Sequence, residues 1–307
     1  MTQSTDFGGT TELPISTEIK GYRFRFLSGE DKIGLWIDAE QESLGRTVTV
    51  KVLRPELENN EIAQREFLAE MDRLTKLDHP VLLRVLDTIR TPPLALVTDR
   101  VAAHTLKGIL EQDKPVQPKL AARAGHSLAR GLKYLYDEGW AHKNLTPTLI
   151  QVRGDDTCRL ITFRNIIPFK QLVALKGKLA QDALYVAPEQ LAGKHEVGAT
   201  TPCYQIACLI FHAVSGKPPH QGKTPMDVAR AHLHKEFPSL KMRRAFLPDA
   251  LYELIDAATV RDPEARPSLD EMAETLGAIG SGGRRKGGPA GPSKDAPVLK
   301  RRRRRRY

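Results

Sequence analysis

Two short patterns near the start of the chain carry residue types that could hold a phosphate group. Gly29 and Gly34 enclose four residues between two apolar stretches, and Lys51 ends the run Val-Thr-Val-Lys. Each pattern alone has a simpler interpretation. A pair of glycines between strands is typical of a hairpin turn, and a lysine on a strand is typical of a solvated face. These residues therefore gain meaning only together with motifs located further along the chain.

The cysteines and histidines predict no metal site. Cys158, Cys203 and Cys208 form no Cys-x-x-Cys pair and have no histidine at ligand spacing, which argues against structural zinc and against a disulfide framework. The nine histidines show no metal-ligand spacing, and His232 with His234 is interpreted as a solvated helix end. We expect no bound metal and a reducing compartment.

Composition indicates one large or two modest globular units, with 307 residues of which 40% are hydrophobic and 27% charged. The net charge of +10 lies in residues 283–307, which hold eleven lysines and arginines and one aspartate. The preceding 282 residues are formally neutral, so composition predicts no nucleic-acid footprint on the globular part. No apolar run of membrane-spanning length and no signal-peptide pattern occurs, and we expect neither secretion nor a built-in anchor.

The order of elements divides the chain into four parts. Residues 1–17 are polar and predict a flexible lead, and residues 18–101 predict five short strands with one helix, whose apolar positions are Ile62, Phe67, Met71, Leu74 and Leu77. Residues 102–279 predict a helical body around the apolar run that begins at Ile206, with Thr201 as its N-cap. Residues 280–307 are rich in Gly, Pro and Arg and predict a disordered polybasic tail.

This order resembles the two-lobed protein kinase fold of the bacterial Ser/Thr type, an α+β class with a small antiparallel sheet lobe and a larger helical lobe. The resemblance rests on motifs that succeed one another over roughly residues 20–278. They are Gly29–Gly34, Lys51, Glu70, Trp140-Ala-His-Lys-Asn-Leu-Thr-Pro147, Leu160-Ile-Thr-Phe-Arg164, Ala187-Pro-Glu189, Ser215-Gly-Lys-Pro-Pro219 and Arg261-Asp-Pro-Glu-Ala-Arg-Pro267. The resemblance implies that Lys51 holds nucleotide phosphates and pairs with Glu70. It also implies that Glu189 and Arg266 form a buried structural ion pair.

The positions that carry out phosphoryl transfer in this family are degenerate here. The family's His-Arg-Asp motif is His142-Lys143-Asn144 in this chain. The amide of Asn144 cannot act as the general base. The catalytic-loop lysine is replaced by Thr146, and Leu149 replaces the magnesium-binding asparagine. Thr162 stands where the family has the principal metal-binding aspartate. The sequence therefore predicts that no catalytic or magnesium-binding set is intact.

The nucleotide pocket of the family is also altered. Trp36, Thr49 and Gln151 stand where small or aliphatic side chains would enclose an adenine, and they predict a filled pocket. Asp31 replaces a loop glycine and would repel phosphates. The opposite interpretation is that Trp36 turns outward and stacks on a ligand. We expect no cofactor, with ATP and magnesium only in the alternative in which activity remains.

The activation segment lacks the hydroxyls of a phosphorylation switch. No serine or threonine occurs between Phe163 and Pro188, and only Tyr185 offers a hydroxyl there. The apolar stretch from Ile166 to Leu175 is interpreted as packing on the lobes, and the alternative is an exposed docking patch.

The tail has two interpretations. It is either a solvated end without a partner, or a polybasic segment that binds an anionic membrane or another polyanion through six consecutive arginines. Specific nucleic-acid recognition is disfavoured, because only Tyr307 could stack on a base. The arginines are Arg301, Arg302, Arg303, Arg304, Arg305 and Arg306.

These observations predict a pseudokinase that acts as a regulator or scaffold through contacts with an unidentified protein partner. We expect it in the cytoplasm, or peripherally at the inner face of the membrane. The alternative is a Ser/Thr protein kinase with residual or non-standard ATP-dependent phosphotransfer, with acidic groups recruited from Asp155 or Asp156. A third possibility is a tether in which the tail carries the main activity.

Overall fold

The small lobe is a five-stranded antiparallel sheet with one helix packed on it. The computed structural model describes residues 18–101, 105–112, 114–142, 145–154, 157–161, 166–169, 183–192 and 197–282. The sheet has the order β1-β2-β3-β5-β4. Its strands are β1 (Tyr22–Glu30), β2 (Gly34–Gln41), β3 (Arg46–Leu53), β4 (Val85–Ile89) and β5 (Ala95–Asp99).

The central strand β3 separates two environments. Val48, Val50 and Val52 point into a small apolar cluster on one face of the sheet. Because side chains alternate along a strand, Thr49 and Lys51 point to the other face, and both are fully buried. The residues that the sequence singled out for nucleotide chemistry thus lie on the face that the helix covers.

Helix α1 (Glu61–Leu74) covers that face and carries Glu70 on its buried stripe. The helix begins at Asn60, whose side chain accepts hydrogen bonds from the first free backbone N–H groups. The predicted stripe is wrong at Ile62, which is 70% exposed. Leu77 is buried, although it lies beyond the end of the helix.

The larger lobe is helical and also contains two small two-stranded pairs, β6 with β9 and β7 with β8. The predicted α+β two-lobed fold is confirmed. The helices are α2 (Leu106–Leu110), α3 (Pro118–Asp137), α4 (Pro188–Ala192), α5 (Thr201–Ser215), α6 (Pro225–His234), α7 (Leu240–Arg243), α8 (Asp249–Ala258) and α9 (Leu269–Ser281). The strands are β6 (Trp140–His142), β7 (Ile150–Val152), β8 (Cys158–Leu160) and β9 (Ile166–Pro168).

Helix α5 forms the centre of this lobe and is buried on all sides, as its sequence predicts. Two local expectations were wrong. Thr201 is the first residue of α5 and Thr200 precedes it as the N-cap, because the Thr201 hydroxyl is engaged with Glu189 instead. His232 is buried rather than solvated, since Tyr204 of α5 packs on it and their Oη and Nδ1 atoms lie 2.8 Å apart.

Helix α9 is the last element of the described part of the chain. It extends to Ser281, two residues into the segment that the sequence assigned to the tail. The predicted lead, residues 1–17, and residues 283–307 of the predicted tail lie outside the described residues. No helix within the described ranges combines the length and apolar character that crossing a bilayer requires.

A buried ion pair joins α4 to the loop before α9. Arg266 Nη1 and Nη2 donate to Glu189 Oε1 and Oε2 at 2.7 and 2.9 Å, and both side chains are fully buried. The Thr201 hydroxyl donates to Glu189 Oε1 at 2.7 Å, and Arg266 Nε donates to the Val260 carbonyl at 2.9 Å. Because the desolvated charges are paired and hydrogen bonded, the cost of burying them is offset.

Removing one partner of this pair should destabilise the protein strongly. We expect Arg266→Met to lower the free energy of unfolding by about 3–5 kcal/mol, because the Glu189 carboxylate stays buried without its counter-charge. The double variant Glu189→Leu/Arg266→Met should cost less than the sum of the single variants. Urea unfolding followed by circular dichroism measures both, and a loss below about 1 kcal/mol for Arg266→Met would contradict the expectation.

Candidate functional site

The site is built around the buried ammonium group of Lys51. Lys51 on β3 faces Trp36 on β2 in the sheet register. Its Nζ lies 2.7 Å from Glu70 Oε1 on α1 and 2.8 Å from Asp31 Oδ2 in the β1–β2 turn. The same Nζ lies 5.2 Å from the centre of the Trp36 ring and 5.5 Å from that of Phe67. Two carboxylates and two aromatic faces therefore surround one cation, which compensates its burial.

Asp31 holds the turn between β1 and β2 in a closed shape. Its Oδ1 accepts hydrogen bonds from the backbone N–H of Ile33 at 2.9 Å and of Gly34 at 3.1 Å, and its own N–H donates to the Gly34 carbonyl at 2.9 Å. The second oxygen, Oδ2, is the one that binds Lys51. One carboxylate thus closes the turn with one oxygen and joins it to β3 with the other.

Arg54 supports the turn from outside. Its Nε donates to the Asp31 carbonyl at 2.9 Å, and its Nη2 donates to Glu30 Oε2 at 2.8 Å. Arg54 therefore holds the turn through the Asp31 backbone and through the Glu30 side chain.

Gly34 is needed because the turn lies directly on the lysine side chain. A Cβ atom at Gly34 would stand 2.5 Å from Lys51 Cε, closer than carbon atoms can approach. Gly29 faces Trp36 across the hairpin, next to a register shift between Leu27 and Gly29. The two glycines that the sequence offered as a phosphate loop thus lie in a turn that packs on the protein itself.

The linker that follows β5 is tied to the sheet by Thr49. The backbone N–H of Val101 donates to Thr49 Oγ1 at 2.9 Å, and that hydroxyl donates to Asp38 Oδ1 at 3.2 Å. Asp38 also accepts from Arg100 Nε at 3.2 Å. On the same strand end, Thr98 Oγ1 lies 3.0 Å from the Asp99 carbonyl oxygen and 3.3 Å from that of Thr49. The Val101 N–H and the carbonyls of Thr49 and Asp99 at this strand end therefore already have partners.

The other two residues predicted to fill the pocket lie on different lobes. Trp36 is half-buried on β2 and packs against the main core. Gln151 is buried on β7, where it bridges to Thr105, and its Oε1 has no hydrogen-bond partner within the described residues.

The segment that would carry catalysis is only partly described. His142 ends β6 and is buried, and within the described residues neither ring nitrogen has a hydrogen-bond partner. Burial lowers the pKa of His142 to about 4. Thr146 Oγ1 lies 2.7 Å from Thr148 Oγ1, and Leu149 donates its backbone N–H to the Thr146 carbonyl at 3.1 Å. Asn144 and Thr162 lie outside the described residues.

A family model of the protein kinase domain matches residues 28–276. This chain belongs to the protein kinase family. It is 29% identical over 243 residues to the serine/threonine-protein kinase PkaA of Streptomyces coelicolor, and the aligned region covers 78% of this chain and 44% of that protein. It is 28% identical over 248 residues to the serine/threonine-protein kinase PknB of Mycobacterium tuberculosis, which covers 78% of this chain and 40% of that protein. The chain thus spans less than half the length of these relatives.

Two contacts of this kinase-family site are not predicted by the sequence. Asp31 is predicted to repel phosphate, whereas the structure shows it in an ion pair with Lys51. A signal for its role in the turn is present, because an aspartate two residues before Ile33 and three before Gly34 has the spacing that caps a turn. Thr49 is predicted only to fill space, whereas its hydroxyl accepts a hydrogen bond from the backbone of Val101. No group of three or more His, Cys, Asp or Glu side chains suited to a metal ion occurs within the described ranges.

The buried His142 should make stability depend on pH. Its pKa of about 4 in the folded state lies below the value of about 6.5 of an unfolded histidine, so the unfolded state binds more protons between these values. The contribution of His142 to the free energy of unfolding is therefore fully present above pH 6.5 and is lost as the pH falls toward 4. Between pH 7 and pH 5 the loss should be about 2 kcal/mol.

Thermal unfolding of wild type and His142→Leu at pH 7 and pH 5 checks this expectation. The variant should lose less stability on acidification, because leucine binds no proton. His234→Gln, which changes an exposed histidine, is the control and should follow the wild type. If wild type and His142→Leu lose the same stability between pH 7 and pH 5, His142 is not the source of the pH dependence.

Proposed function

We propose that this kinase-family protein is a pseudokinase, a regulator or scaffold that acts through protein contacts and does not transfer phosphate. The observation that carries the proposal is the ion pair of Asp31 with Lys51, at 2.8 Å. In the family this lysine holds the phosphates of the nucleotide. Here a carboxylate of the same chain takes the place of a phosphate oxygen.

Charge supports this proposal. Lys51 is fully buried and already paired with Asp31 and Glu70, so the cluster carries one net negative charge if all three groups are ionised. A triphosphate would enter beside two carboxylates and one cation, and like charges at contact distance in a poorly solvated cleft repel strongly. Binding would require Asp31 to leave both Lys51 and the turn that it closes.

The base-binding side of the cleft supports the same conclusion. A planar base is recognised by a few well-placed donors and acceptors and by the space between them. The Val101 N–H is already used by Thr49, and the half-buried Trp36 ring stands beside Lys51. An incoming base would have to break the first contact and would meet the ring beside Lys51.

The identity of the catalytic residues completes the case. Asn144, Leu149 and Thr162 offer no carboxylate where the family places the base and the main metal ligands. These residue types do not fit a magnesium nucleotide. Loss of the general base alone reduces a rate by about 10²–10⁴.

The kinase names of the relatives support a second candidate, a Ser/Thr protein kinase with residual or non-standard phosphotransfer. It would need acidic groups from elsewhere, such as Asp155 or Asp156, and both lie outside the described residues. We also propose that the protein is cytoplasmic and that the basic run from Arg301 to Arg306 holds it at an anionic membrane surface.

Nucleotide addition distinguishes these candidates. We expect no thermal shift of the wild type with ATP, with or without Mg²⁺ or Mn²⁺, and no incorporation of labelled phosphate. A ligand at 100 times its dissociation constant would stabilise the fold by about 2.7 kcal/mol, which such a measurement detects easily. Phosphate transfer that is abolished by Lys51→Met would overturn the proposal.

The role of Asp31 has its own test. Asp31→Asn removes one negative charge from Lys51 and keeps an oxygen that can close the turn, so inorganic triphosphate should stabilise this variant and not the wild type. Glu30→Gln is the matched control, since Glu30 is the neighbouring acid and contacts Arg54 instead of Lys51. If triphosphate affects Asp31→Asn and Glu30→Gln alike, Asp31 does not block the site.

A further inference from the structure

An exposed loop of the helical lobe carries large apolar side chains that protrude into solvent. We name residues 240–247 the α7 tip, since they comprise α7 and the turn after it. Met242 is 88% exposed and Phe246 is fully exposed. Phe246 also has a φ of +65°, a backbone conformation that bulky side chains rarely adopt.

The α7 tip is held in place from below. Leu240 and Leu247 at its two ends are buried. Arg244 Nη1 donates to the carbonyl oxygens of Val214 at 2.6 Å and Val116 at 3.2 Å. The Tyr252 hydroxyl donates to the Arg244 carbonyl at 2.8 Å and accepts from the Leu247 N–H at 2.9 Å. The exposure of Met242 and Phe246 is thus a property of an anchored loop.

The stretch of sequence that carries these apolar side chains is basic. Lys241, Arg243 and Arg244 lie in the α7 tip, and no acidic residue occurs between Glu236 and Asp249. Lys241 and Arg243 are exposed. The α7 tip therefore combines two protruding apolar groups with cations directly beside them.

We propose that the α7 tip binds an anionic bilayer surface, with Met242 and Phe246 inserted among the acyl chains. Apolar side chains flanked by Lys and Arg are the combination that partitions into an anionic membrane interface. The shape favours a bilayer over a protein partner, because a fully exposed ring protrudes and a protein would need a matching pocket to bury it. The fluid acyl region of a bilayer accepts a protruding ring without a preformed pocket.

Membrane insertion of the α7 tip does not depend on whether the protein transfers phosphate. Its role also differs from that of the arginine run, which would attract the same membranes by charge alone. The α7 tip adds insertion, and insertion places a side chain in an apolar environment that charge attraction does not provide.

Tryptophan fluorescence of the full chain tests insertion directly. Phe246→Trp should show a blue-shifted emission, and quenching by brominated acyl chains, with vesicles of equal parts phosphatidylcholine and phosphatidylserine. Wild type supplies the background of the two native tryptophans. Leu44→Trp is the matched control: Leu44 is 64% exposed in the β2–β3 turn, and it should show neither effect while the protein is bound.

Binding strength gives a second measurement. Met242→Ser/Phe246→Ser should lower the partition coefficient on the same vesicles by about tenfold or more, since each exposed apolar side chain adds to membrane affinity. Leu44→Ser/Ile62→Ser, which removes two exposed apolar side chains of the small lobe, should leave the coefficient unchanged. Because all variants keep the same tail, the ratio of the wild-type to the variant partition coefficient reports the contribution of the α7 tip alone.

Two outcomes would overturn the proposal. The first is vesicle-bound protein in which Trp at position 246 shows neither a blue shift nor bromine quenching, which would mean that the tail alone binds. The second is an equal blue shift with soluble polyglutamate, which would identify an acidic polypeptide as the occupant of the α7 tip.

Discussion

The compensation of one buried cation organises the small lobe. Lys51 lies in the middle of the sheet without solvent contact, so its charge must be balanced by groups that the fold brings to it. Glu70 brings α1 against the sheet, and Asp31 brings the β1–β2 turn down onto the same atom. Three segments that are far apart in sequence are thereby joined at one point.

Two sets of polar contacts do different work in the two lobes. In the helical lobe, Glu189 and Arg266 form a fully buried bidentate pair, which supports α4 and the start of α5. In the small lobe, the polar side chains beside the cleft make internal contacts: Asp31 binds Lys51, and Thr49 binds the Val101 backbone. Both sets join segments that are far apart in sequence.

Much of the fold could be predicted from sequence, because it depends on local patterns. Alternating residues indicated the strands around Lys51, and helical spacing placed Phe67, Met71 and Leu74 on a buried stripe. Glu70 was indicated only by the family resemblance. The errors arose where tertiary packing decides. Ile62 fits the helical spacing but lies at the exposed start of α1, and His232 looked like a solvated end until Tyr204 covered it. The Thr49 contact joins residues 52 positions apart, which no local pattern encodes.

The β1–β2 turn is closed by groups of the chain itself. The Asp31 carboxylate binds two backbone N–H groups and the Lys51 ammonium, so the turn needs no bound solute to adopt its shape. A partner that docks on this turn would therefore meet a surface that is already formed in the free protein.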